Sequence, residues 1–112
     1  INTPYEADFA RRVMAGIVGE ANAVPQEPTM GAEDFSYMLL EKPGAYCFIA
    51  NGHGAHRGRY DGGGHDAGPC TLHNPHYDFN DDLIPLGGTY WVQLAEAWLG
   101  HEPPADRPMP QK

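Results

Sequence analysis

Apolar residues return every three to four positions at the start of the chain. Tyr5, Phe9, Val13 and Ile17 fall on one helical face, Met14 and Val18 widen it, and Glu6, Asp8, Arg11 and Arg12 take the opposite side. This pattern predicts a helix from about Pro4. Thr3-Pro4-Tyr5-Glu6 reads as a capping box with proline at the first helical position, where its missing N–H would have had no partner. Gly19 or Asn22 is expected to end the helix. Residues 24–29 carry two prolines, which predicts an extended connection or a short edge strand. Glu33 and Asp34 then place negative charge at a second helix start, with Phe35, Met38 and Leu39 on the inner face and Pro43-Gly44 as the stop.

Residues 45–50 form a continuous apolar run rich in strand formers, as expected of a strand covered on both faces. The stretch 52–68 holds seven glycines and three histidines without periodicity, and predicts a surface loop. Thr71-Leu72-His73 is expected to be a brief strand leaving it. Asn80, Asp81 and Asp82 are candidate caps for a long last helix, in which Leu83, Leu86, Tyr90, Leu94, Ala97 and Trp98 make the buried stripe. Pro85 is tolerable only in or near its first turn, Gly87-Gly88 implies a close approach to a sheet, and Gly100 is the stop. The fold class expected from this order is α/β.

Length and charge narrow the classes of partner. A chain of 112 residues can hold one small core, and a formal charge of −8, from 15 acidic and 7 basic residues, opposes binding to nucleic acid or an anionic membrane. No apolar run approaches the roughly 18 to 20 residues needed to span a bilayer. Cys47 and Cys70 are too few for a disulfide framework and are expected to be two buried thiols of a cytoplasmic protein. The opening Ile1-Asn2-Thr3-Pro4, running directly into a helix, gives the expectation of a piece of a longer chain.

Two segments carry candidate chemistry. His73 stands where a strand end would meet a helix start, and a neutral imidazole is a good ligand for zinc, manganese or cobalt. Gly31, Ala32 and Glu33 lead into a helix, whose unpaired backbone N–H groups suit a carboxylate; the competing reading is that Glu33 and Asp34 only cap the helix. Pro75 prevents a helical pairing of His73 with His76. His53, His56 and His65, with Asp61 and Asp66, could form at most a loose metal site on a solvated loop. Asp78, Asn80, Asp81 and Asp82 lack the glycine and terminal glutamate of a calcium loop. No serine-protease order, phosphate-cradling loop or basic aromatic patch is present.

The segments Met30-Gly31-Ala32-Glu33-Asp34-Phe35-Ser36-Tyr37 and Leu72-His73-Asn74-Pro75-His76-Tyr77-Asp78-Phe79-Asn80-Asp81 together resemble the C-terminal part of the catalytic domain of the M20 metallopeptidase family. The resemblance is to its amidohydrolase branch, which includes hippurate hydrolases and aminoacylase-like enzymes. It covers residues 1–100 and leaves 101–112 as a proline-rich flexible tail. It implies a partial α/β/α sandwich of the zinc-peptidase type and hydrolysis of N-acyl amino acid amide bonds. It further implies a centre of two divalent ions (zinc, manganese, cobalt or nickel), with His73 as one metal ligand and Gly31, Ala32 and Glu33 beside the substrate. The remaining ligands and the catalytic glutamate of the family lie upstream of these motifs. The isolated segment is therefore expected to be inactive, to bind no metal firmly, and to associate with the missing N-terminal part or with itself. The competing reading is an independent, non-catalytic binding or assembly module.

Overall fold

The structure, a computed structural model, describes residues 1–27, 31–52, 72–73 and 77–102. Helix α1 spans Pro4–Val18, a single 3-10 turn follows at Glu20–Asn22, α2 spans Phe35–Glu41 and α3 spans Leu83–Leu99. The chain divides into two compact units, one made of Ile1–Cys47 with Thr89–Lys112 and the other of Phe48–Gly88.

The first helix begins where the pattern placed it, although its cap works differently. The Thr3 hydroxyl does not bond a helical N–H. It accepts the Gly44 N–H at 2.9 Å and lies within hydrogen-bond reach of the Gly44 carbonyl and the Glu6 carboxylate. Thr3 therefore ties the start of α1 to the turn after α2, and the reciprocal capping box is replaced by a long-range contact. Both expected stop residues act: Gly19, at φ 85°, donates to the Ala15 carbonyl at 2.8 Å, and the Asn22 side chain donates to the Val18 carbonyl at 2.8 Å.

α2 ends for a local reason. Lys42 precedes Pro43, is held extended at φ −141°, and its N–H still closes on the Met38 carbonyl at 2.9 Å. Phe35 and Leu39 are half-buried against Gly44, where an added Cβ would lie 3.2 Å from Leu39 Cδ2. That closeness is what the glycine at this turn permits. Met38, expected on the inner face, is exposed.

In the first unit the packed centre is small and aromatic: Phe9, Ala10 and Tyr90 are its buried apolar residues. Phe9 meets Trp98 edge-on at 5.1 Å between centroids, and Tyr5 meets the same indole at 6.3 Å. Aromatic pairs of this geometry contribute about 0.5–1.5 kcal/mol beyond burial. His101 joins them, its ring 4.8 Å from Phe9 and its Nδ1 2.6 Å from the Trp98 carbonyl. The imidazole thus closes the end of α3 just beyond Gly100, whose N–H donates to the Glu96 carbonyl. His101 packs with the helices although the sequence assigned it to the tail; residues 103–112 lie outside the described part.

The run 45–50 is not a paired strand. It is irregular, and Phe48 and Ile49 are exposed at 58% and 47%. No strand is present among the described residues. In place of a neighbouring strand, the Asn2 side-chain amide takes both backbone groups of Tyr46, accepting its N–H and donating to its carbonyl at 2.8 Å each. The second unit repeats the device. The Asn51 amide donates to the Asp78 carbonyl at 2.7 Å and accepts the Asn80 N–H at 2.8 Å. Side-chain amides here satisfy backbone groups that a strand ladder would otherwise pair.

At the start of α3 the Leu83 N–H reaches the Asn80 carbonyl, and the Asn80 side chain accepts the Asp82 N–H at 3.2 Å. Pro85 sits in the first turn as expected. Gly87 and Gly88 are not forced by a neighbour: a Cβ at Gly87 would make an ordinary 3.8 Å contact with Ile49, and one at Gly88 would meet nothing. The sheet that Gly87-Gly88 were expected to approach is not present among the described residues.

Candidate active-site segments

His73 is exposed and lies in a turn with Leu72, at φ 68°. This differs from the brief strand expected there. A non-glycine residue in the left-handed region costs on the order of 1–2 kcal/mol, and histidine is among the types that tolerate it best. Such a conformation persists only where surroundings enforce it, and these positions gather at functional sites. Asn74, Pro75, His76, Cys70 and the histidines at 53, 56 and 65 lie outside the described residues.

A catalytic zinc takes three protein ligands and a structural zinc four. Among the described residues no group of three or more histidine, cysteine, aspartate or glutamate side chains could hold an ion. The described part of the chain therefore does not fit a metal centre by itself, and His73 stands as a single donor.

Gly31, Ala32 and Glu33 are exposed and run directly into Asp34 and α2. The Glu33 and Asp34 carbonyls accept the Ser36 and Tyr37 N–H groups at 3.0 Å each, which closes the first turn. The Asp34 side chain makes no cap hydrogen bond. Two adjacent acidic side chains complement this helix end and oppose the approach of a second negative group.

The Glu33 side chain has a defined partner. The Tyr46 hydroxyl donates to its Oε1 at 3.2 Å, and the Tyr46 ring leans on Phe35 with centroids 5.5 Å apart. Partial desolvation, then the negative charge of Glu33 and the hydrogen bond to it, push the Tyr46 phenol above its ordinary range. Sequence reasoning missed Tyr46, because it read the residue as one more member of an apolar strand. Cys47, expected to be buried, is an exposed free thiol, since nothing among the described residues covers the run that contains it. Its Sγ lies 3.8 Å from the Tyr90 hydroxyl. Burial, followed by this thiol contact, pushes the Tyr90 phenol up.

The chain is similar to parts of a hippurate hydrolase and of plant IAA-amino acid hydrolases. It is 30% identical over 100 residues to the hippurate hydrolase of Campylobacter jejuni, covering 88% of this chain and 22% of that protein. It is 29% identical over 99 residues to IAA-amino acid hydrolase ILR1-like 4 of Arabidopsis thaliana, covering 88% of this chain and 20% of that one. IAA-amino acid hydrolase ILR1-like 2 of the same plant is 28% identical over 89 residues, which is 80% of this chain and 18% of the relative. The chain spans about a fifth of the length of the curated relatives it matches. These matches fit a portion of an M20-type amidohydrolase, the C-terminal one by the resemblance of its motifs. No family model and no solved structure matches the chain. No helix among the described residues is long and apolar enough to cross a membrane.

Proposed function

We propose that this chain is the C-terminal part of the catalytic domain of a metal-dependent amidohydrolase that cleaves the amide bond of N-acyl amino acids. The observation that carries the reading is the match to a hippurate hydrolase and to IAA-amino acid hydrolases across 80–88% of the chain. In this reading His73 contributes one imidazole to the metal centre, and Gly31, Ala32 and Glu33 border the substrate. The other ligands and the proton-transfer group belong to the rest of the enzyme, so the chain by itself is inactive. Its partner is that remaining part of the same enzyme. The bare apolar face of α3, where Trp91 and Leu99 are 67% and 85% exposed, supports such a partner.

The test compares this chain with a protein in which it is joined to the rest of such an enzyme. The chain alone should bind zinc or manganese weakly by calorimetry and hydrolyse no hippurate. The joined protein should hydrolyse it in a metal-dependent way, and His73→Ala should cut turnover roughly a hundredfold or more while far-UV circular dichroism stays unchanged. Metal-dependent turnover by the chain alone, or full activity of His73→Ala in the joined protein, overturns the reading.

A further inference from the structure

We propose that the Glu33 carboxylate accepts the amide N–H of the substrate and that Tyr46 is the positioning residue that holds Glu33 for it. The inference rests on the N-acyl amino acid reading above and adds a specific recognition to it. Such a substrate offers a carboxylate, an acyl carbonyl, an apolar acyl group and one N–H. Of these only the N–H can donate to a carboxylate, and the substrate's own carboxylate is repelled by Glu33 and Asp34.

The structure supplies the geometry for holding the acceptor. Tyr46 donates its hydroxyl to Glu33 Oε1 at 3.2 Å, a bond that does not use Oε2 of the exposed carboxylate. Tyr46 is itself fixed at three places: its N–H and carbonyl by the Asn2 amide, and its ring against Phe35 at the first position of α2. A glutamate side chain on an exposed segment otherwise samples several rotamers, and fixing it before the ligand arrives removes that entropic cost from binding. A tyrosine phenol is protonated, and hence a donor, at neutral pH in any case, and the upward shift of Tyr46 extends that state further into the alkaline range.

Two measurements test this separately from the proposed function. In the chain itself, labelled with 13C at tyrosine Cζ, the Tyr46 resonance should titrate at lower pH in Glu33→Gln than in the unaltered protein, while Tyr5, Tyr37 and Tyr77 do not move. Identical Tyr46 midpoints overturn the latch, whether or not the protein is an amidohydrolase. In the joined enzyme, Tyr46→Phe and Glu33→Gln should each raise the hippurate KM roughly three- to tenfold with kcat altered less than about twofold, and the double variant should be no worse than Glu33→Gln. With N-methylated hippurate, which has no N–H, the Tyr46→Phe effect should vanish. A KM effect of equal size on both substrates, or none on hippurate, overturns the N–H recognition. Failure of the joined enzyme to hydrolyse hippurate at all overturns the recognition along with the proposed function and leaves the latch to the titration.

Discussion

α1 and α3 are similar in length and carry opposite surfaces. α1 holds four charged side chains among 15 residues: Glu6, expected on the wet side, is buried next to Thr3, while Asp8 pairs at the surface with Arg12 at 2.9 Å and Arg11 at 3.7 Å, and the Arg12 guanidinium also lies 5.9 Å from the centre of the Phe9 ring. It is a helix with one face to bury. α3 holds one charged residue, Glu96, among 17. One of its sides carries Tyr90, Leu94 and Trp98, which are buried or half-buried; the other carries Ile84, Trp91, Val92 and Leu99, all exposed. These four recur at helical spacing and form a second apolar face. Such a second face fits the partner proposed above, since helices apolar on all sides are those that proteins bury. The contrast separates a helix whose large apolar side chains are all buried or half-buried from one that, among the described residues, leaves four of them exposed.

The comparison can be broken at the seam the two helices share. Phe9→Ala removes a buried ring with its edge-on contact to Trp98 and its tilted contact to His101, and should cost about 3–5 kcal/mol, enough to abolish the cooperative thermal transition of so small a core. A transition shifted by only a few degrees in calorimetry would mean that this seam is not the centre of the fold. The second face of α3 gives a smaller effect of different kind. Trp91→Gln with Leu99→Gln should leave helicity within about 0.5 kcal/mol of the parent while abolishing concentration-dependent association and dye binding, both read by sedimentation and fluorescence. Unchanged association would move the sticky surface elsewhere. Arg12 should matter least: Arg12→Ala removes an exposed i,i+4 pair with Asp8 and the approach of the guanidinium to the Phe9 ring at 5.9 Å, and should change stability by about 1 kcal/mol or less, the ion-pair part fading in high salt. A loss above 1 kcal/mol would show that the Arg12 side of α1 is covered after all.

The same contrast explains what could be read in advance. Thr3-Pro4, Gly19, Pro43-Gly44, Asn80 and Gly100 mark helix ends, and the structure places ends within three residues of all of them. The strand expected over residues 45–50 followed from composition alone, and among the described residues it has the composition without the partner. The candidate site divides along this line too. His73 and Gly31, Ala32 and Glu33 stood out through motif and position, whereas the role of Tyr46 depends on a hydroxyl meeting a side chain 13 residues earlier.

By itself the sequence determined the helices, because an i to i+4 hydrogen bond, a cap and a proline act within a few residues and need nothing from the rest of the chain. Only the tertiary structure decided which side of α3 meets Phe9, that Asn2 and Asn51 stand in for strand neighbours, that His101 closes the aromatic cluster, and that Glu33 is held by Tyr46. Those contacts join residues 13 positions apart in Glu33 and Tyr46, 44 in Asn2 and Tyr46, and 92 in Phe9 and His101. Forming them requires closing a long loop against chain entropy, and the choice of partner is set by which surfaces meet once it has closed, a quantity that no local periodicity encodes.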